Sequence, residues 1–291
     1  MKRPAGPRAV RIGMTDPDGP LARHLRDLVH ESDIPVSRFV PIGGEEDAGR
    51  LSEVDGEPEY RVAPSRETIG DLDLLVLGGS DVDAESLKLA RENDVAVFDA
   101  SAAPPAALGC AALIAACSPA SAAFTLLLPA AEAGTRGIQE LFQQTSDALN
   151  FRDTAADVFG GRLAFNVFRD ARTEASDRAV AAYLAERFPA CRSSVIAARA
   201  ALFHGYSGAA ELRFADKASA RAGAAALRAD AGISVSARPG GASPAAAVAE
   251  AGVRIDPPIA EGDRLTVWFA FDGLTLAARA ALDPVRALLA G

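Results

Sequence analysis

The sequence predicts an α/β protein in two parts, a parallel sheet with helices followed by an α+β unit with a mixed sheet. Three observations predict it. Short apolar runs alternate with amphipathic helical stretches as far as Ala100, the pattern of a right-handed parallel α/β sheet. Beyond Ala100 strands and helices follow one another without strict alternation. A chain of 291 residues, 49% of them hydrophobic, is also long enough to bury two cores.

Taken in order, RAVRIGM (8–14) reads as a short strand running into the turn TDPDGP. LARHLRDLVHES follows, with Leu21, Leu25 and Leu28 spaced for one face of a helix. VSRFVPIG reads as a second strand, and DLDLLVLGGS as a buried strand ending in glycines. DAESLKLARENDVAVFDAS reads as helix, turn and strand. The Ala- and Pro-rich segment 101–123 carries no clear period. AFTLLLPA then reads as a strand, GTRGIQELFQQTSDALNF and DRAVAAYLAERFP as helices, and SSVIAARAALFHG and GAAELRFA as two strands around a Gly-centred loop. SARAGAAALRAD reads as a helix, GVRIDPP and RLTVWFAFDG as strands, and LAARAALDPVRALLAG as a closing helix. The flexible loop is ARPGGASP, 237–244.

The net charge of −9, with both signs interspersed, argues against a nucleic-acid or anionic-membrane partner, since both need a basic surface. Cys110, Cys117 and Cys191 are odd in number, and their spacing matches neither a zinc site nor a disulfide framework. Reduced thiols, and hence a cytoplasmic location, are expected. The N-terminus lacks the apolar core of a signal peptide, and PPAALGCAALIAACSPASAAF is too weakly hydrophobic for a membrane span.

Four places hold candidate chemistry. GMTDPDG, with Gly13, Thr15 and Gly19, stands between the first strand and first helix, where a dinucleotide fold puts its phosphate loop. Asp16 and Asp18 bring negative charge there, and Pro17 removes an N–H, so an acidic capped turn is the reading favoured. Gly78, Gly79 and Ser80 end a predicted strand and read equally as a cofactor edge or as a glycine turn into a helix. Cys117 reads as a small core residue by default and as a nucleophile only if a base reaches it. In FHGYSGAAEL, His204 reads as a surface residue or a general base. Arg199, among apolar neighbours, wants a carboxylate, either a ligand or Glu211 on the next strand.

Several stretches resemble the aspartate-semialdehyde dehydrogenases. RGIQELFQQTSDALNF followed by FGGRLAFNVF is similar to that family's helix and its AFN segment. ARAALFHGYSGAAELRF is similar to its R-V-P-V-x-x-G-H-S strand–loop–strand, and LTVWFAFDGLTLAARAALDPV to its ending. GMTDPDG sits where G-A-T-G-x-V-G would.

The resemblance implies a Rossmann-like domain over 1–120 that binds NADP or NAD and is completed by a helix at 274–291. It implies a mixed-sheet dimerisation domain over 121–273, a homodimer, and no metal. The family binds the aldehyde's carboxylate with an arginine, attacks with a cysteine thiolate that follows N-P-N and opens a helix, and uses a histidine as acid and base. Carried over, the arginine falls on Arg199, with Asn166 of the AFN segment also in a substrate-binding role. The histidine position holds Tyr206, with His204 two residues upstream. Alignment on Pro119 puts Ser121 near the nucleophile, and Cys117 is the nearby thiol. The family's glutamine matches Leu128, and Asp16 stands at the loop's central glycine. Nucleophile, base, glutamine and phosphate loop thus depart together. The resemblance then implies a paralogue without the parent activity that keeps a binding or assembly role, with a small carboxylate as ligand. The alternative is an active NAD(P)-dependent semialdehyde dehydrogenase with relocated residues, Cys117 and His204.

Overall fold

The computed structural model describes residues 9–44, 46–54, 57–78, 82–100, 102–248 and 252–290. The chain divides into two compact units, Met1–Ala103 with Ala277–Gly291, and Pro104–Leu276. The first holds β1 (Val10–Met14), α1 (Pro20–His30), β2 (Val36–Pro41), β3 (Leu51–Val54), β4 (Glu57–Tyr60), α2 (Arg66–Gly70), β5 (Leu74–Leu77), α3 (Asp83–Glu92) and β6 (Ala96–Asp99). The second holds α4 (Pro105–Cys117), β7 (Ser121–Leu128), a 3₁₀ turn (Ala130–Ala133), α5 (Gly134–Leu149), β8 (Val167–Phe168), α6 (Ala171–Arg187), β9 (Arg192–Ala200) and β10 (Tyr206–Arg213). It continues with α7 (Lys217–Ala229), β11 (Ile233–Val235), α8 (Pro244–Ala247), β12 (Val253–Ile255), β13 (Ile259–Glu261) and β14 (Arg264–Phe271), and α9 (Gly273–Ala290) leads back into the first unit. No described helix is long and apolar enough to cross a membrane.

The first sheet is parallel, in the order β2-β1-β5-β6. Its central strand Leu74–Leu77 is apolar at every position because both faces are covered. Leu74 and Val76 pack with α1 through Ala22, Leu25 and Val29. Leu75 and Leu77 turn to the opposite face, with Ile69 and Ala90, as a period of two requires. Ala278, Ala281, Leu282 and Val285 of α9 join the α1 face, so the C-terminal helix does return to the first domain. The β3–β4 hairpin was not foreseen. LSEV and EPEY are short and largely polar in sequence and show no strand pattern.

The second sheet is mixed, in the order β11-β12-β14-β10-β7-β9-β8, with β13 on β14. β7 runs parallel to β9 and antiparallel to β10. Ala122, Phe124, Leu126 and Leu128 of β7 point into one core with α4, α6 and α7. The alternate positions face away from that core, and Ile196 and Trp268 are exposed. The segment that showed no period in the sequence forms α4. Ala and Leu are strong helix formers and Pro105 stands in its first turn. Its buried residues, Ala106, Ala107, Gly109, Cys110, Leu113 and Ile114, do repeat at helical spacing, but the other side is mostly alanine, so the sequence is apolar all round and shows no 3.6 period.

Gly109 fixes how closely α4 approaches the sheet. A Cβ on it would fall 2.3 Å from the Phe271 ring. That ring is stacked between Tyr206 at 5.1 Å and Phe269 at 5.9 Å. Alanine is worth about 1 kcal/mol over glycine in a helix, whereas overpacking a core costs about 1–3 kcal/mol. With the ring held on both sides the clash is expected to prevail. Gly109→Ala should therefore lower the midpoint of urea unfolding; a raised midpoint would show that the ring can yield.

Candidate functional site

One end of the second unit's sheet gathers the polar groups. Leu128 lies beside Arg199 in the parallel pairing of β7 and β9, and Phe168 of β8 lies on its other side. β10 begins at this end with Tyr206, opposite Phe271. The loop before it carries Gly205 at φ +74°, a left-handed turn that suits glycine. The 3₁₀ turn after β7 hangs on the same loop. Ala130 N–H donates to the Leu202 carbonyl at 2.7 Å, and Ala131 N–H to Phe203 at 3.1 Å. Helix α4 also opens here: a Cβ on Gly273 would lie 2.5 Å from the Tyr206 ring and 2.9 Å from Cβ of Pro105.

Arg199 is 3% exposed. Its Nε donates to Asp170 Oδ2 at 3.0 Å, and its guanidinium lies 5.4 Å from the Phe159 ring centre. Its Nη1 is buried with no hydrogen-bond partner among the described residues. Glu211 is not its partner, contrary to one of the two sequence readings. Glu211 pairs with Arg213 at 2.9 Å and Arg264 at 3.5 Å, because Arg199 and Glu211 stand toward opposite ends of their strands. Asp170 also caps α6 by accepting from Thr173 N–H at 2.7 Å. Burial raises its carboxyl, but the Thr173 N–H and the Arg199 guanidinium outweigh that and leave it below the usual range.

Glu132, on the 3₁₀ turn, was not singled out in the sequence. It keeps an exposed edge, yet protein crowds its carboxyl and pushes it up to about 7 against the pull of Arg199. Tyr206 is buried. Burial, then the charges of Glu132 and Asp272, drive its phenol well above its ordinary value. At neutral pH it is a proton donor and not a base. His204 is exposed on the loop. Asn166 is exposed too, and its side chain is engaged locally: Oδ1 accepts from Val167 N–H at 2.9 Å, and Nδ2 donates to Arg162 O at 3.1 Å.

The thiols lie elsewhere. Cys117 ends the helix that Pro105 opens, about 18 Å along it at 1.5 Å per residue. Its Sγ donates to the Leu113 carbonyl at 3.1 Å, and burial, with Cys191 adding, pushes the thiol up to about 12. Cys110 is fully buried and raised further by burial alone. Ser121 starts β7 opposite Arg213, at the far end from Arg199. Cys117 thus stands at the end of α4 away from Pro105, whereas His204 is on the loop that leads into Tyr206. Pro119, on which the resemblance was aligned, follows the end of α4 and not its beginning. The position that opens the helix is Pro105-Ala106-Ala107, and two prolines ahead of an alanine run were the signal for it.

The strand–helix turn of the first unit is filled by its own carboxylates. Gly13 lies inside β1, where a Cβ would meet Leu72 at 2.4 Å, so this glycine serves packing. Thr15 Oγ1 donates to Asp83 Oδ1 and accepts from Gly78 N–H at 2.9 Å. Gly19 caps α1, and a Cβ on it would fall 1.8 Å from Oδ2 of Asp16; Cβ of Asp16 in turn abuts Gly78. Burial, Asp18 and Asp83 raise the Asp16 carboxyl against the pull of Arg61 and Arg23. Asp18 is held by Arg61 at 2.5 Å. A pyrophosphate needs free N–H groups and a clear approach; Pro20 removes one N–H from the first turn of α1, and the Asp16 carboxylate lies against Gly19 on the approach. Gly79 and Ser80 lie outside the described residues. Among the described residues no group of three or more His, Cys, Asp or Glu could hold a metal ion.

The raised carboxyl of Glu132 has a signed consequence. A carboxyl whose value rises on folding binds its proton more tightly in the native state. Its contribution to stability is complete below 4.5 and is lost as pH rises through about 7. Between those limits the unmodified chain should lose stability relative to Glu132→Gln, and above them the difference should be flat, as urea unfolding across that range will read.

No protein-family model matches the sequence, and no curated protein does. Solved structures match the fold over nearly the whole chain. An aspartate semialdehyde dehydrogenase II from Vibrio cholerae superposes with a TM-score of 0.81 at 16% identity, covering 97% of this chain and 99% of that one. A probable aspartate-semialdehyde dehydrogenase from Pseudomonas aeruginosa gives 0.79 at 19% identity, with the same coverage. The enzyme from Candida albicans, solved with NADP, gives 0.63 at 12% identity, covering 96% and 99%. At these identities the likeness is one of fold: the chain has the architecture seen in aspartate-semialdehyde dehydrogenases.

Proposed function

We propose that this chain is an aspartate-semialdehyde-dehydrogenase-like protein without the parent NADP-dependent oxidoreductase activity, working in the cytoplasm as a homodimeric binding protein that takes a small carboxylate at Arg199. The observation that carries the reading is the start of α4. Where a thiolate would open a helix beside the arginine, the chain has Pro105, Ala106 and Ala107. Proline offers no N–H to an oxyanion and alanine offers no nucleophile. Tyr206 in place of an imidazole, and carboxylates in the place of a phosphate loop, support the same conclusion from independent parts of the chain. A buried guanidinium with one nitrogen unpartnered supports retained anion recognition.

The alternative, a dehydrogenase using Cys117 and His204, requires hydrogen-bond reach between them. The length of α4 and of β7 separates them instead. The homodimer reading is supported by apolar side chains left in solvent on the second unit. Phe151 is 99% exposed and Phe165 is exposed too, both at positive φ, near Phe142, Leu149 and Val167 in sequence. Such patches mark interaction surfaces.

The purified protein should form no NADPH from NADP, phosphate and aspartate semialdehyde, and calorimetry should detect no NADP binding. Turnover that vanishes in Cys117→Ala would overturn the proposal. Sedimentation should find a dimer that Phe151→Asp converts to monomer without loss of fold; a wild-type monomer would remove the assembly part of the reading.

A further inference from the structure

The second unit has a cavity that none of the chemistry above uses. It measures about 690 Å³ and lies among the end of α4, the link from α6 to β9 and the link from β10 to α7. It is remote from Arg199: its wall includes Ser118, Pro119 and Ala120, which precede the opposite end of β7. The volume is in the range of small-molecule sites, about 300–1,000 Å³.

The lining is mostly apolar. Ile114, Phe214 and Cys191 are buried members of the core that form part of it, with Ala115, Phe188, Pro189 and Ala215 around them. Burial raises the Cys191 thiol, so at neutral pH that group is an uncharged sulfur. The polar liners are few. Ser118 holds a left-handed backbone at φ +47° where α4 ends, a conformation a non-glycine residue adopts at a cost. Ser219 lies in the first turn of α7. Arg187 is the one charged residue of the lining. It is exposed and forms no ion pair with the described residues.

Two helices, α4 and α6, end at this cavity. Their exposed carbonyl ends carry partial negative charge and repel an anion. Arg187, in the last turn of α6, reverses that sign on one side only. The cavity therefore has an apolar interior and a single cationic corner. We infer that it is a binding site for an amphipathic monocarboxylate, with its hydrocarbon chain against Ile114, Phe188 and Phe214 and its carboxylate on the Arg187 guanidinium.

Decanoate is a suitable probe, with decanol as its uncharged counterpart. Calorimetry on the whole chain should show saturable decanoate binding. Arg187→Gln should weaken decanoate about tenfold, the worth of a charge-assisted contact, and leave decanol unchanged. Ala115→Trp, on the exposed side of α4 at the cavity wall, should abolish binding of both while circular dichroism reports an intact fold. No decanoate binding to the wild type would overturn the inference. So would binding that survives Ala115→Trp, or an equal loss of decanoate and decanol in Arg187→Gln. None of these outcomes bears on NADP or on Arg199, so this site stands or falls apart from the function proposed above.

Discussion

The pair between Arg199 and Asp170 organises the end of the second unit where the polar groups meet. A guanidinium this deeply buried must be matched, because an unpaired charge in an apolar interior costs several kcal/mol. Asp170 matches it while also capping α6, so one carboxylate joins the end of β9 to the start of α6. The pair need not add net stability, since desolvating two charges offsets most of their attraction. Breaking it from one side, however, typically costs about 3–5 kcal/mol. What it fixes is position: the guanidinium lies against the Phe159 ring with Nη1 left over. Glu132 feels that residual charge, and Tyr206 feels Glu132 in turn.

Magnitudes decide what this arrangement can do. A thiol at about 12 is ionised at neutral pH to roughly one part in 10⁵. A phenol raised above its ordinary value is further still from serving as a base. Burial is the largest cause in both cases. Both groups are therefore held in their neutral forms at neutral pH by the protein around them. The opposite holds for Glu132, whose exposed edge and near-neutral value leave its proton exchangeable.

Much of the fold was legible because it depends on patterns that sequence carries directly. Leu74–Leu77 is apolar throughout because it is covered on both faces, and Leu21, Leu25 and Leu28 repeat at helical spacing, with Leu25 fully buried and the other two packed partly buried beside it. Helix α4 was illegible for a related reason, since a helix apolar all round has no face to betray its period. The site was legible in part. Arg199 was recognised as a buried cation, but its partner lies 29 residues away in the chain, and no periodicity links the two. Asp170 did leave a local sign, an aspartate three residues before a threonine at a helix start. Glu132 left none, because its value depends on folding brought about by Leu202 and Phe203.

Tyr206 serves the fold at the position where the proposed reading lacks an imidazole. Its ring lies almost parallel to that of Phe271 at 5.1 Å, which continues to Phe269, and Gly109 of α4 rests on the middle ring. Stacked aromatic pairs are worth about 0.5–1.5 kcal/mol beyond the area they bury, so the residue contributes to the core in proportion to how fully it is enclosed. A general base has the opposite requirement, since it must keep a basic nitrogen reachable by substrate. One side chain at this position cannot satisfy both demands. Placing an imidazole there would remove one end of the stack, and the helix facing it would still open on proline and alanine. At this position the chain keeps the aromatic column, and Tyr206 is enclosed in it rather than held open as a base would be.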